Sequence, residues 1–118
     1  MKILNTKFKD VKIIKYNKFT DKRGNLKVTY NKKVINWVNL VFDYTTVSKK
    51  NVIRGFHFQW KQQQDKLITV VQGKILDCVV DLRKNSKTFG KHYSVILSEN
   101  NCKSLFIPKG FAHACYTL

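Results

Sequence analysis

Val52-Ile53-Arg54-Gly55-Phe56-His57-Phe58-Gln59-Trp60 contains a run in which Phe56, Phe58 and Trp60 alternate with His57 and Gln59. A period of two is the signature of a strand with two unlike faces. Regular alternation would put Ile53, Gly55, His57 and Gln59 on one face, and Arg54, Phe56, Phe58 and Trp60 on the other. Similar runs flank it: Val11–Tyr16, Leu26–Tyr30, Val38–Tyr44, Leu67–Gln72, Lys74–Leu82, His92–Leu97, Ser104–Ile107 and Ala112–Thr117. Turn formers separate many of them, as in Asp21-Lys22-Arg23-Gly24-Asn25, Gln72-Gly73, Lys84-Asn85-Ser86 and Pro108-Lys109-Gly110. Many short strands at even spacing predict an all-β sandwich or barrel. Helical spacing is confined to Asn31–Asn36, which suits a turn or so of helix.

The chain has 118 residues, the size of one ordinary domain, so residues 1–118 are read as a single domain. Hydrophobic residues make up 43% and aromatic residues 13%, enough apolar surface to offset the entropy of ordering. Cys78, Cys102 and Cys115 are odd in number and contain no CxxC pair, which argues against a disulfide framework or a zinc knuckle. A reducing cytoplasm is the expected setting. No stretch has the length of apolar sequence that a membrane helix needs, and Met1-Lys2-Ile3-Leu4-Asn5 lacks a signal peptide's apolar core.

Net charge is +16, and only Arg23, Arg54 and Arg83 among the 23 basic residues are arginine. Such a field attracts polyanions, so nucleic acid and nucleoside diphosphates are both candidate partners. The lysines are scattered rather than gathered in a tail, as a solvated surface would have them.

Polar groups on otherwise apolar strands mark a candidate site. Lys66 shares a face with Ile68 and Val70, Asp77 with Val79 and Asp81, and His113 with Phe111 and Cys115. Convergence of His57, Lys66, Asp77 and His113 would give the barrel a polar pocket.

Several ordered blocks sharpen this reading: Val52–Gln59, Gln64-Asp65-Lys66-Leu67, Gly73–Gly90, Leu97-Ser98-Glu99-Asn100 and Ile107-Pro108-Lys109-Gly110-Phe111-Ala112-His113, with Phe19-Thr20-Asp21-Lys22-Arg23-Gly24 upstream. Together they resemble the dTDP-4-dehydrorhamnose 3,5-epimerases, nucleotide-sugar enzymes built on a cupin-type jelly roll. The resemblance implies proton abstraction next to the C4 carbonyl of a nucleotide-linked 4-keto-6-deoxyhexose. It makes His57 the base, Lys66 the stabiliser of the enolate and Asp77 the carboxylate that positions Lys66. Arg54 would contact the diphosphate. Phe19, Arg23, Gln59 and His113 would line the substrate site, Arg23 by reaching a partner subunit's nucleotide. A homodimer without cofactor or metal is implied. Glutamine at Gln59 stands where a metal-binding cupin has its second histidine.

This chain departs from the family at Val28, Phe42 and Tyr44, where the pattern has polar residues. The family's acid, a tyrosine, and the aspartate that orients its base match positions beyond Leu118. The expected jelly roll is therefore one without its C-terminal closing strands, with an open edge that favours pairing. Tyr44 is the candidate replacement acid. Two other readings compete: a nucleotide-sugar 3,4-ketoisomerase of the same fold, and a basic nucleotide-binding cupin without catalysis. Nucleic-acid binding, with Phe56, Phe58 and Trp60 as stacking groups, is disfavoured because alternation suits those rings equally to a core.

Overall fold

Most of the alternating runs become strands in the computed structural model, which describes residues 1–118. In chain order these are β1 (Lys2–Asn5), β2 (Lys12–Lys15), β3 (Lys18–Asp21), β4 (Gly24–Lys27), β5 (Ile53–His57), β6 (Lys66–Thr69), β7 (Lys74–Asp81), β8 (His92–Ser98), β9 (Lys103–Ile107) and β10 (Phe111–Thr117). One antiparallel sheet runs β1-β2-β9-β6, a second runs β5-β10-β7-β8, and β3 and β4 form a separate hairpin. The fold is the expected all-β jelly roll. There is no helix, and hence none long and apolar enough to cross a membrane.

The core lies between the two four-stranded sheets. Ile13, Leu105 and Ile107 on the first face Val79, Leu97 and Phe111 on the second, with Phe8, Val11 and Val70 completing the cluster. Phe8 closes one end, with its ring 5.6 Å from that of Phe111. Alternation accounts for this directly, since Val79 is fully buried while its neighbours Cys78 and Val80 are only half-buried. Residues Ser104–Ile107 of β9 are buried on both faces. Their outward side is covered by the segment after the hairpin, where Ile35 and Val38 pack on Ile14 and Phe106.

Three expectations need correction. Val38–Tyr44 forms no strand, because its apolar residues divide between two surroundings: Val38 is buried against the first sheet, whereas Val41, Phe42 and Tyr44 face solvent. Asn31–Asn36 makes only a hydrogen-bonded turn, in which the Val34 and Ile35 amides donate to the Asn31 carbonyl. The lysine-bearing strands β1 and β3 were not separated from their surroundings by pattern. All four residues of each are exposed, so burial imposes no alternation on them.

Candidate active site

The pairing of β5 with β10 decides which side chains meet. His57 lies opposite His113 and Arg54 opposite Cys115, so Gly55 and Phe56 together face Ala114 alone. This two-against-one count is a β-bulge. It corrects the regular alternation: Arg54 and His57, three positions apart, lie on the same face of the second sheet. Two rows follow across that face. Arg54, Cys115, Asp77 and Val95 form one, and His57, His113, Val79 and Tyr93 form the other. Val79 belongs to the core, which identifies this face as the inner one.

Gly55 makes the bulge possible. Its φ is +117°, and a Cβ there would sit 2.5 Å from the His113 carbonyl oxygen and 2.7 Å from the Ala114 Cα. Only glycine allows so close an approach in that conformation.

Asp77 is fully buried, and its carboxylate accepts from His113 Nε2 at 2.8 and 3.0 Å. Burial pushes the Asp77 carboxyl up, opposed by the hydrogen bond and charge of His113. The expected Asp77–Lys66 contact does not form. Lys66 belongs to β6 in the opposite sheet, and the only hydrogen-bond partner of Asp77 is His113, on the strand beside it. Lys66 is half-buried and lines a small cleft with Phe58, Gln59, Gln64 and Phe111.

His57 is exposed and its side chain makes no hydrogen bond within the chain, which leaves the imidazole free to meet a ligand. Arg54 donates to Ser48 Oγ at 2.7 Å and to the Val47 carbonyl at 3.3 Å, tying the extended segment before β5 to the site. The other expected residues lie elsewhere. Phe19 and Arg23 are on the β3–β4 hairpin, where Arg23 pairs with Asp21 at 2.7 Å in full solvent. Tyr44 is 71% exposed and stacks on Phe42, outside the cluster.

Sequence reasoning did not single out two contributors. Cys115 stands directly between Arg54 and Asp77 in register, and its thiol is pushed up by burial and by the Asp77 charge. Asp81, buried at the end of β7, accepts from Arg83 Nε and Nη2, each at 2.9 Å, and from Ser86 and Thr88 hydroxyls, each at 2.6 Å. Burial alone would raise this carboxyl, but the hydrogen bonds from Arg83, Ser86 and Thr88 outweigh it and hold it well below the usual carboxylate range. Arg83 also bonds Asp10 at 2.7 Å and lies over the Phe111 ring at 4.6 Å, which fixes the start of β10. The signal for this cluster was Asp81-Leu82-Arg83, with Ser86 and Thr88 in the following turn. No group of three or more His, Cys, Asp or Glu residues is placed to hold a metal ion.

The family model for dTDP-4-dehydrorhamnose 3,5-epimerase matches residues 5–118. The enzyme of that name from Methanothermobacter thermautotrophicus is 42% identical over 110 residues, which cover 90% of this chain and 60% of the relative. The Escherichia coli enzyme is 40% identical over 124 residues, covering 100% and 67%. The crystal structure of the epimerase from Legionella pneumophila, in complex with dTDP-4-keto-L-rhamnose, superposes with a TM-score of 0.93 at 38% identity, covering 99% of this chain and 65% of that one. The chain thus spans between 60% and 67% of the length of these relatives. A match across nearly every residue, together with the same fold, places this chain in the dTDP-4-dehydrorhamnose 3,5-epimerase family.

Proposed function

We propose that the chain acts on a nucleotide-linked 4-keto-6-deoxyhexose and inverts stereocentres next to the C4 carbonyl, as a dTDP-4-dehydrorhamnose 3,5-epimerase does. The observation that carries this is the bulge in β5. It sets His57 and Arg54 on one inner face beside the Asp77–His113 pair. A base and a phosphate-binding guanidinium are thereby held a short distance apart on a rigid sheet.

The C3 and C5 hydrogens of such a sugar are acidic because the adjacent carbonyl takes up the electron pair. His57, free of internal partners, accepts the proton, and the pair moves onto the C4 oxygen. Lys66 supplies positive charge to that oxygen from the facing sheet. A proton from solvent then adds to the other side of the ring as the electron pair returns from the oxygen to the carbon, which inverts the centre, and His57 gives up its proton to solvent. Arg54 exchanges its contacts with Ser48 and Val47 for the diphosphate, which its planar fork suits. The relative from Legionella pneumophila, bound to dTDP-4-keto-L-rhamnose, supports this substrate class.

A homodimer in the cytoplasm fits the same reading. Ile53, Leu76 and Ile96 form an exposed apolar row with Tyr116 on the outer face of the second sheet, and Val41, Phe42 and Val47 are exposed nearby in sequence. A second copy would bury such surface. The hairpin carrying Phe19 and Arg23, which pairs with neither main sheet, is free to reach across to it.

Exchange in heavy water tests the chemistry. Wild-type protein incubated with dTDP-4-keto-6-deoxyglucose is expected to wash deuterium into C3 or C5, and His57→Asn to do so at least about 100-fold more slowly. Equal exchange by both proteins, or none by either, refutes the assignment.

A further inference from the structure

We propose that Asp77 is a positioning residue that fixes His113 as its Nε2–H tautomer, so that Nδ1 is left free on the inner face, beside His57, to accept a hydrogen bond from a sugar hydroxyl. This rests on the functional reading above and adds a specificity-determining contact to it.

The near-equal distances from His113 Nε2 to the Asp77 oxygens, 2.8 and 3.0 Å, are those of one N–H shared between two acceptors. A protonated carboxyl would aim a single O–H at the nitrogen and turn its other oxygen away. No other group donates to Asp77, which is 0% exposed, so a buried carboxylate there depends on a hydrogen at Nε2.

The second ring nitrogen is then determined. His113 Nδ1 has no hydrogen-bond partner in the chain, yet the one buried side-chain polar atom without a partner is Tyr16 Oη. Nδ1 therefore opens to solvent, although the His113 side chain as a whole is only 14% exposed. His57 is its cross-strand neighbour on the inner face, where directly opposed Cβ atoms lie about 5 Å apart. A molecule that brings a carbon to His57 also brings its ring substituents to His113 Nδ1. A lone pair there rewards a hydroxyl and offers nothing to a carbonyl or a missing oxygen. His113 thus reads the substrate's hydroxyl pattern, while charge at the C4 oxygen is left to Lys66.

Nitrogen NMR of the full chain labelled with ¹⁵N-histidine reads the tautomer directly, with the His113 signals assigned by their loss in His113→Ala. The expected result is a pyridine-type Nδ1 and a pyrrole-type Nε2 in the wild type, and a redistribution in Asp77→Asn, whose amide can donate to Nε2 instead. A pyrrole-type Nδ1 in the wild type overturns the proposal. Calorimetry supplies the second readout. Wild type is expected to prefer the dTDP-sugar over an analogue lacking one ring hydroxyl by about tenfold, with the preference lost in Asp77→Asn and dTDP itself bound equally by both. His113→Ala carries this arm if Asp77→Asn does not fold. A hydroxyl preference that survives in the variant overturns the positioning role. Failure of the wild type to bind dTDP overturns the functional reading instead.

Discussion

Replacing Gly55 by alanine perturbs the chain in two separable ways. The first is conformational, since φ is +117° and a residue with a Cβ rarely adopts that value; such strain costs about 1–3 kcal/mol. The second is steric. The new methyl would lie 2.5 Å from the His113 carbonyl oxygen and 2.7 Å from Ala114 Cα, both backbone atoms that no rotamer change can move. Overpacking of this kind costs about 1–3 kcal/mol. Together they remove about 2–6 kcal/mol from a total that is ordinarily about 5–15. Gly73→Ala isolates the first cost, because Gly73 also has a positive φ, +79°, but its Cβ would meet nothing within 4 Å. Urea titration of the three proteins gives both terms by difference. Gly55→Ala is expected to be the less stable variant by at least about 1 kcal/mol. If it folds, β5 stands away from β10, and a displacement of about 1 Å at His57 lowers the exchange rate about 100-fold. Equal stability of the two alanine variants, or an undiminished exchange rate in Gly55→Ala, would refute the argument that this close approach builds the site.

Two further predictions concern stability. Ionised Asp81 has a depressed folded-state value, so its contribution is present above the ordinary carboxylate value and is lost as pH falls through the folded-state one. Asp81→Asn is expected to lower the urea midpoint near neutrality and to flatten the acid side of the stability profile; an unchanged acid limb contradicts the assignment. Leu105, fully buried between the sheets, should cost about 2–5 kcal/mol as alanine. Leu26, 60% exposed on the hairpin, should change stability by less than about 0.5 kcal/mol, and comparable losses at both positions would put the core elsewhere.

How much of this was legible in the sequence depends on whether burial wrote a period into it. In β7 and β10, one face packs on the core, and the pattern found both strands. In β1 and β3 every residue is exposed, so there was nothing to write. The Val38–Tyr44 run misled because its apolar residues imply a single buried surface, whereas Val38 packs on the first sheet and its successors face solvent. His57 and Asp77 were found as polar groups on apolar strands. Their neighbours were not, since the partner of Asp77 follows from the β7–β10 register between residues 36 positions apart. The face of Arg54 was misassigned for a related reason: strict alternation has no place for an extra residue, and Gly55 inside a strand was its only cue.

The extra residue in β5 also bears on which length changes this chain can accommodate. Deleting Phe56 would pair β5 with β10 one for one, giving a more regular ladder and a smoother sheet. Arg54 would still lie opposite Cys115 on the inner face; it is a regular ladder keeping every residue of β5 that would set Arg54 opposite Tyr116 on the outer side, away from His57. Loops elsewhere can gain or lose residues at little cost, but in β5 the extra residue leaves Arg54 and His57 on one face only because the bulge absorbs it. Gly55, which alone permits the bulge, is therefore the position in this segment least open to substitution.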